Sequence, residues 1–344
     1  MKKSTEIVLP AEWAPQSAVQ LTWPHEETDW APYLAEAQQC FAEIATAIAT
    51  QQKVLIVCRS AAAVRSVLKN ANLENIRLVE LPSNDTWARD HGAITVFKNG
   101  KPVLLDFKFN GWGLKFPADK DNRITKALFE QGVFSPETEY ENQLNFVLEG
   151  GCIESDGKGT ILTTSECLLS PNRNGAFSRA KIEEKLKVFF GANRILWLEN
   201  GYLAGDDTDS HIDTLARFCD EQTIAYVKCT NPSDEHFEAL QRMEEELKAL
   251  RQADGSPYRL VALPMADAAY FDGERLPATY ANFLIINGAV LVPFYGTEKD
   301  EVVKRIFAEI FPEREIIGIN CFPLIKQHGS LHCVTMQFPN NVVL

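Results

Sequence analysis

Short apolar, β-branched runs recur along the whole chain, and single amphipathic stretches separate them. The runs fall at residues 19–23, 54–58, 93–97, 103–107, 145–148, 160–164, 195–198 and 224–227, then at 259–263, 281–286, 289–293, 315–319 and 332–337. Their lengths, and the Gly, Asn and Pro residues that bound them, predict strands. Helical spacing is expected over 33–50, 61–72, 123–131, 178–190 and 234–250. The last is the clearest. Ser233 can cap it, Asp234 and Glu235 complement its N-terminus, and Phe237, Leu240, Met243, Leu247 and Leu250 share one face. Strands therefore come in small groups, punctuated about five times by one helix. A doubly wound nucleotide fold would alternate more strictly and carry a Gly-x-Gly-x-x-Gly turn, which is missing here. No Pro/Gly/Ser-rich linker interrupts the 344 residues. Residues 1–344 thus read as one α/β domain of loosely repeated units.

Charge and cysteine usage narrow the partners. A net charge of −13 makes nucleic acid a poor partner and suits a small cation. No stretch approaches the ~20 apolar residues of a membrane span. Lys2 and Lys3 are followed by Ser4, Thr5 and Glu6 rather than a signal-peptide core. The expectation is a cytoplasmic protein with no membrane partner. The eight cysteines, at 40, 58, 152, 167, 219, 229, 321 and 333, are scattered and contain no Cys-x-x-Cys pair. Reduced thiols, mostly buried as small hydrophobes, are expected rather than disulfides or a zinc ribbon.

Four polar clusters sit beside glycines at strand ends, where scaffolds present chemistry. Asn84–Gly92 packs Asp85, Trp87, Arg89, Asp90 and His91 into one loop; a structural Asp–Arg pair with an Asx turn is the alternative. In Leu148-Glu149-Gly150-Gly151-Cys152, Glu149 follows an apolar strand. If buried there, its pKa would rise and suit proton transfer; an exposed acid at a turn is the plainer reading. Cys152, among apolar neighbours, reads as a packing residue. In Gly205–Thr214, His211 and Asp213 are two apart and would share a face of a strand, as a carboxylate-tuned base requires. The acidic run lacks the spacing of a calcium loop, and a solvated acidic turn is its alternative. In His328–Gln337, Cys333 follows a Gly/Ser turn and is a candidate nucleophile, against the alternative of a buried structural thiol. His332 adjoins it, so on a strand the two would face opposite ways, which makes His211 the better partner.

Taken in order, these segments resemble the agmatine deiminases and the bacterial peptidylarginine deiminases of the guanidine-modifying superfamily. The motifs are Leu9-Pro10-Ala11-Glu12-Trp13 and Thr22-Trp23-Pro24, then Asn84–Gly92 and Phe109-Asn110-Gly111-Trp112-Gly113. Leu148-Glu149-Gly150-Gly151, Leu162–Leu169 with Pro171–Asn174, Thr208–Asp213 and His332-Cys333-Val334-Thr335 follow. The resemblance implies a five-bladed α/β propeller, pentein-like, of pseudo-fivefold ββαβ units, and a homodimer. It implies Cys333 as nucleophile and His211 as general acid/base. It implies Asp90, Glu149 and Asp213 as guanidinium-binding carboxylates, with Trp87 and Trp112 at the pocket. No metal or cofactor is needed for that chemistry.

A guanidinium is planar, cationic and a donor on all three nitrogens, so paired carboxylates can orient it. Its carbon is a poor electrophile, and a thiolate divides the displacement into two easier steps. Agmatine is the favoured substrate. Its distal ammonium suits Asp206, Asp207 or Asp209, of which Asp207, four residues before His211, is favoured, with a merely solvated acid as the alternative. The segment after the 103–107 run lacks the paired arginines that the peptidylarginine branch would use. A peptidylarginine or other guanidine deiminase, and an amidinotransferase, remain the alternatives. His328 departs from the usual pattern before the nucleophile and bears on how substrate is admitted.

Overall fold

The expected rhythm takes the form of five sheets, beside one small hairpin of Tyr270–Phe271 with Glu274–Arg275, in the computed structural model, which describes residues 6–344. Each sheet contains the same unit: an antiparallel pair, a helix, then a strand parallel to the second member of the pair. In one unit Ile94–Lys98 pairs with Lys101–Lys108, and helix Ile124–Glu130 leads to Glu139–Val147. The next joins Ile153–Ser155 and Thr160–Thr164 through helix Arg179–Phe190 to Arg194–Leu198. Ala216–Phe218, Thr223–Lys228, helix Phe237–Ala249 and Arg259–Pro264 form another. Leu284–Ile286, Ala289–Phe294, helix Glu298–Ile310 and Glu315–Asn320 form a fourth. In the fifth, the C-terminal strand Thr335–Pro339 supplies the antiparallel partner of Gln16–Thr22, and helix Leu34–Ala49 leads to Lys53–Cys58. The chain's end is thereby stitched to its beginning. A parallel neighbour needs a long crossover, which is why one helix separates each pair from its third strand.

Strands covered on both faces read as continuous apolar runs; Val54 to Cys58 are all buried. Helix Phe237–Ala249 turns Leu240, Met243 and Leu247 inward, on the face the sequence predicts. Its start is different: His236, not Ser233, is the cap residue, without a side-chain bond. Helix Glu298–Ile310 was not foreseen. It begins with a capping box between Thr297 and Asp300 and buries only Val303, Phe307 and Asp300, so its apolar stripe is narrow. The strands Ile153–Ser155 and Ala216–Phe218 have three residues each, too few to show alternation.

One expected strand needs correction. Residues 332–337 do not form a strand; the strand starts at Thr335, whose N–H bonds back to the carbonyl of His332. His332 and Cys333 lie on a turn, so strand alternation does not separate their side chains. His211 and Asp213 likewise lie on or beside a single 3-10 turn, Ile212–Thr214, rather than a strand. No helix among the described residues is long and apolar enough to cross a membrane.

Candidate active site

The thiol of Cys333 is held by what its turn is bonded to. Asn282 Oδ1 accepts the backbone N–H of His332 at 2.8 Å and of Cys333 at 3.2 Å, while its Nδ2 donates to Cys333 Sγ at 3.2 Å. Leu331 and Val334 anchor the turn in the core. Cys333 Sγ lies 3.8 Å from Asp213 Oδ2. Burial, then the charges of Asp213 and Asp90, push this thiol well above its usual pKa. Both effects favour the thiol over the thiolate.

Asp90 and Asp213 approach the thiol from two different sheets' loops. Asp90, on the short helix Ala88–His91, accepts Trp112 Nε1 at 2.9 Å and the Gly151 N–H at 3.1 Å. Burial raises it to about 6; His211 opposes that rise, and Asp213 and Glu149 add to it. Asp213 is also fully buried, yet its pKa is lowered, because His332, His211 and Arg217 outweigh the burial. Its Oδ1 has no hydrogen-bond partner, and neither has His211 Nδ1.

Trp112 reaches Asp90 from an unusual turn. Gly111, Trp112, Gly113 and Leu114 all have positive φ, at 64°, 54°, 86° and 72°. A left-handed turn costs about 1–2 kcal/mol for each non-glycine residue, and two are spent here. Asn110 holds the turn by accepting the Gly113 N–H at 2.9 Å. Trp87 is oriented by Asp85, which accepts its Nε1 at 2.9 Å and that of Trp30 at 2.8 Å. The indole of Trp87 packs onto Gly329, where a Cβ would come within 2.1 Å of the ring.

His211 is fully buried. Its Nδ1 faces Asp90 Oδ1 at 3.7 Å, and its Nε2 lies 3.3 Å from Cys152 Sγ. Burial alone would depress the imidazole; the charges of Asp90, Cys167 and Asp213 override it and raise the pKa to about 10. Behind it, Glu149 accepts Arg173 Nε at 2.9 and 3.0 Å and the Cys152 thiol at 3.3 Å. Glu149 therefore faces Arg173 and Cys152, one layer back from Asp90 and Asp213. Cys152 packs in the core as its apolar neighbours suggested, but it also touches the histidine.

Beneath the thiol lies a buried ionic layer that sequence reasoning missed. His332 bridges Asp213 Oδ2, at 2.8 Å, and Glu12 Oε2, at 2.7 Å. Glu12 also takes Arg217 at 2.9 Å and Arg89 at 3.6 Å. Burial would raise Glu12, but Arg217, His332 and Arg89 hold it well below the usual carboxylate range. Arg217 is fully buried against Glu154, the Phe283 carbonyl and the Phe283 ring. The Leu9–Trp13 motif carried the signal for Glu12, but nothing in the sequence supplied its partners.

Above the thiol opens a cleft enclosing about 430 Å³, lined by Cys333, Asp90, Trp87, Trp112, Asp207, Asp85, Asp29 and His328, among others, with no Lys or Arg. A larger cleft of about 650 Å³ lies beside Glu12 and Arg89 without Cys333 in its lining, and His211 and Asp213 stay buried behind the linings of both clefts. The three acids of the 206–209 loop separate by role. Asp206 accepts the N–H groups of Thr208 and Ser210 at 3.1 and 2.8 Å and shapes the loop. Asp209 pairs with Arg173 at 2.6 Å and Lys115 at 2.7 Å. Asp207 alone of the three lines the cleft, with Oδ2 4.0 Å from His328 Nδ1.

Comparison with known proteins gives the same constellation a family. Residues 8–339 match the description of the Porphyromonas-type peptidyl-arginine deiminases. A solved Porphyromonas gingivalis chain, provisionally named an arginine deiminase, is 55% identical with a TM-score of 0.95, covering 98% of this chain and all of its own. A Campylobacter jejuni agmatine deiminase solved with substrate bound is 40% identical with a TM-score of 0.92, covering 98% of each chain. A Vibrio parahaemolyticus protein provisionally named agmatine deiminase is 36% identical over 96% of both chains. This chain belongs to the Porphyromonas-type peptidyl-arginine deiminase family, and is a guanidine-modifying enzyme that hydrolyses C–N bonds.

Proposed function

We propose that the chain is an agmatine deiminase: a single five-bladed α/β propeller domain that hydrolyses agmatine to N-carbamoylputrescine and ammonia through a covalent adduct on Cys333. The observation that carries the substrate assignment is the lining of the cleft. Four carboxylates (Asp29, Asp85, Asp90 and Asp207) face it, and no Lys or Arg does. A guanidine bearing a distal ammonium meets anions at both ends. Free arginine or a peptidyl arginine presents a carboxylate or carbonyl group where this cleft offers no cation. The five repeated units, with the C-terminal strand joined to the N-terminal one, support the propeller.

The reaction follows from the charges. The substrate's guanidinium sits between Asp90 and Asp213, and its N–H groups meet the unpartnered Asp213 Oδ1. Its positive charge offsets the two anions that hold the Cys333 proton in place, so the thiol ionises on binding and its proton leaves to solvent. The thiolate attacks the guanidinium carbon. His211, kept protonated by Asp90, gives a proton to one nitrogen, and ammonia departs. A thiouronium remains on Cys333. His211, now neutral, takes a proton from water as that water attacks the same carbon. Collapse expels the thiolate, the hydroxyl proton passes to it, and the neutral ureido product leaves with Cys333 restored as a thiol. Glu149 with Arg173 backs His211 rather than gripping substrate.

Ammonia release from agmatine, arginine and a peptidyl arginine, each supplied alone, tests the assignment, with Cys333→Ala as control. Release from agmatine only, lost in the variant while agmatine still binds, is the expected result. Release from an arginine substrate only would keep the chemistry and overturn the specificity. An obligatory acceptor amine would point to amidino transfer.

A further inference from the structure

Behind His211, on the side away from the cleft, four donor side chains converge: Glu149, Cys152, Cys167 and the imidazole itself. Their ligand atoms all lie within 4.8 Å of one another, and all four residues are buried. Cys152 Sγ is 3.3 Å from His211 Nε2, 3.3 Å from Glu149 Oε2 and 2.6 Å from Cys167 Sγ. We propose that this quartet is a site for a thiophilic divalent cation such as Zn²⁺, and that occupancy switches the enzyme off. The inhibitory half rests on the role of His211 proposed above; the binding half does not.

Two thiolates, one imidazole and one carboxylate form a donor set of the kind zinc takes in four-coordinate tetrahedral geometry, with bonds of about 2.0–2.3 Å. Such bonds place neighbouring donor atoms roughly 3.3–3.8 Å apart. The two 3.3 Å separations already meet this. The thiols stand about 1 Å too close, so binding requires one sulfur to move outward. Arg173 binds Glu149 through Nε alone, and a carboxylate with about four acceptor positions retains one for an ion. The charges also close: the ion and Arg173 face two thiolates and Glu149, with His211 neutral. Uptake therefore expels the proton of each thiol that is not already ionised, and the one on His211 Nε2.

That last proton explains the inhibition. With Nε2 on the ion, the ring keeps a single proton, on Nδ1, the nitrogen that faces Asp90. It cannot accept a proton from water there. Nor does a neutral imidazole readily give that proton up to departing ammonia. The catalytic thiol is not a ligand, which separates this site from simple capture of a metal by Cys333.

The test uses the whole 344-residue chain with Zn²⁺ or Cd²⁺ as the only added ligand. Equilibrium dialysis should retain one Zn²⁺ per chain, and Cd²⁺ should produce the ultraviolet absorption of cadmium–thiolate bonds. Both signals should persist in Cys333→Ala. They should fall in Cys152→Ala and in Cys167→Ser, with affinity reduced by more than about a hundredfold, beyond the loss typical of a residue that only supports a ligand. Two single variants, each checked for an intact thermal transition, guard against a misfolded one. Agmatine turnover by the parent protein should be inhibited by Zn²⁺ and restored by a chelator, with Cys152→Ala resistant. Retention lost in Cys333→Ala but kept in Cys152→Ala would overturn the proposal, as would no retained ion at all. The dialysis and absorption readouts stand even if agmatine is not the substrate.

Discussion

Nδ1 of His332 stands 2.8 Å from Asp213 Oδ2, and the same ring reaches Glu12 at 2.7 Å with Nε2. The histidine next to Cys333 is therefore a strut under Asp213, the carboxylate proposed above to meet the substrate. Both contacts are hydrogen bonds only when the ring carries two protons. His332→Gln can keep one of them. It should cost about 1–3 kcal/mol of stability and raise KM for agmatine more than it lowers kcat. Asp213 has a depressed pKa, so its stabilisation is present at neutral pH and lost as pH falls through the folded value. Removing His332 brings that value back up, and acid unfolding should set in at higher pH. Unchanged KM and an unchanged acid transition would show that His332 is only filler.

The Cys333 proton gives a prediction for the free enzyme. Because burial and two carboxylates raise the thiol well above its ordinary value, only a small fraction is ionised at pH 7. Alkylation of Cys333 by iodoacetamide, followed by peptide mass, should climb roughly tenfold per pH unit from 7 to 9 without levelling. Asp90→Asn removes one of the anions and should make the thiol react faster at pH 8. A plateau below pH 8 in the parent protein would mean a preformed thiolate and would remove the need for substrate to ionise it.

The specificity assignment rests on Asp207, which faces the cleft while Asp206 and Asp209 are committed to the loop and to Arg173. Asp207→Asn should raise KM for agmatine about tenfold, equal to roughly 1.4 kcal/mol, with kcat within a factor of about three. Turnover of a short guanidine lacking the ammonium should not change. Equal losses on both compounds would place Asp207 in the machinery common to all guanidines.

Much of the proposed site is visible in the sequence because its residues cluster locally: Asp90 and Trp87 in one loop, His211 and Asp213 in one turn, Cys333 after a Gly/Ser turn. Repeated strand groups gave the right element order, since short buried strands and their crossover helices have distinct periodicities. The supporting layer was not legible. Glu12, Arg217, Asn282 and His332 lie far apart in sequence, so their partnership exists only once the chain has folded. Period-2 reasoning also failed at residues 332–333, because alternation holds on a strand and these residues occupy a turn. Cys152 looked like core by its neighbours; its contact with His211 spans 59 positions.

Gly151 shows how closely the site is fitted, and offers the sharpest single substitution. Its N–H donates to Asp90 at 3.1 Å, which any residue except proline could do. A Cβ at this position would lie 2.4 Å from His211 Nδ1, 3.0 Å from Asp90 Oδ1 and 3.2 Å from Asp213 Oδ2. The backbone φ is not positive, so Gly151→Ala has no conformational penalty of its own, and the whole effect falls on those side chains. Overpacking of this kind costs about 1–3 kcal/mol, leaving the protein folded with a thermal transition a few degrees lower. Catalysis is less tolerant, since a shift of about 1 Å in a reacting group can cost on the order of a hundredfold. Gly151→Ala should therefore lose turnover by about that factor or more while Cys333 stays alkylatable. A variant that keeps full turnover would mean that His211 and Asp90 do not meet substrate in the arrangement described, and the proton route through Nδ1 would have to be abandoned.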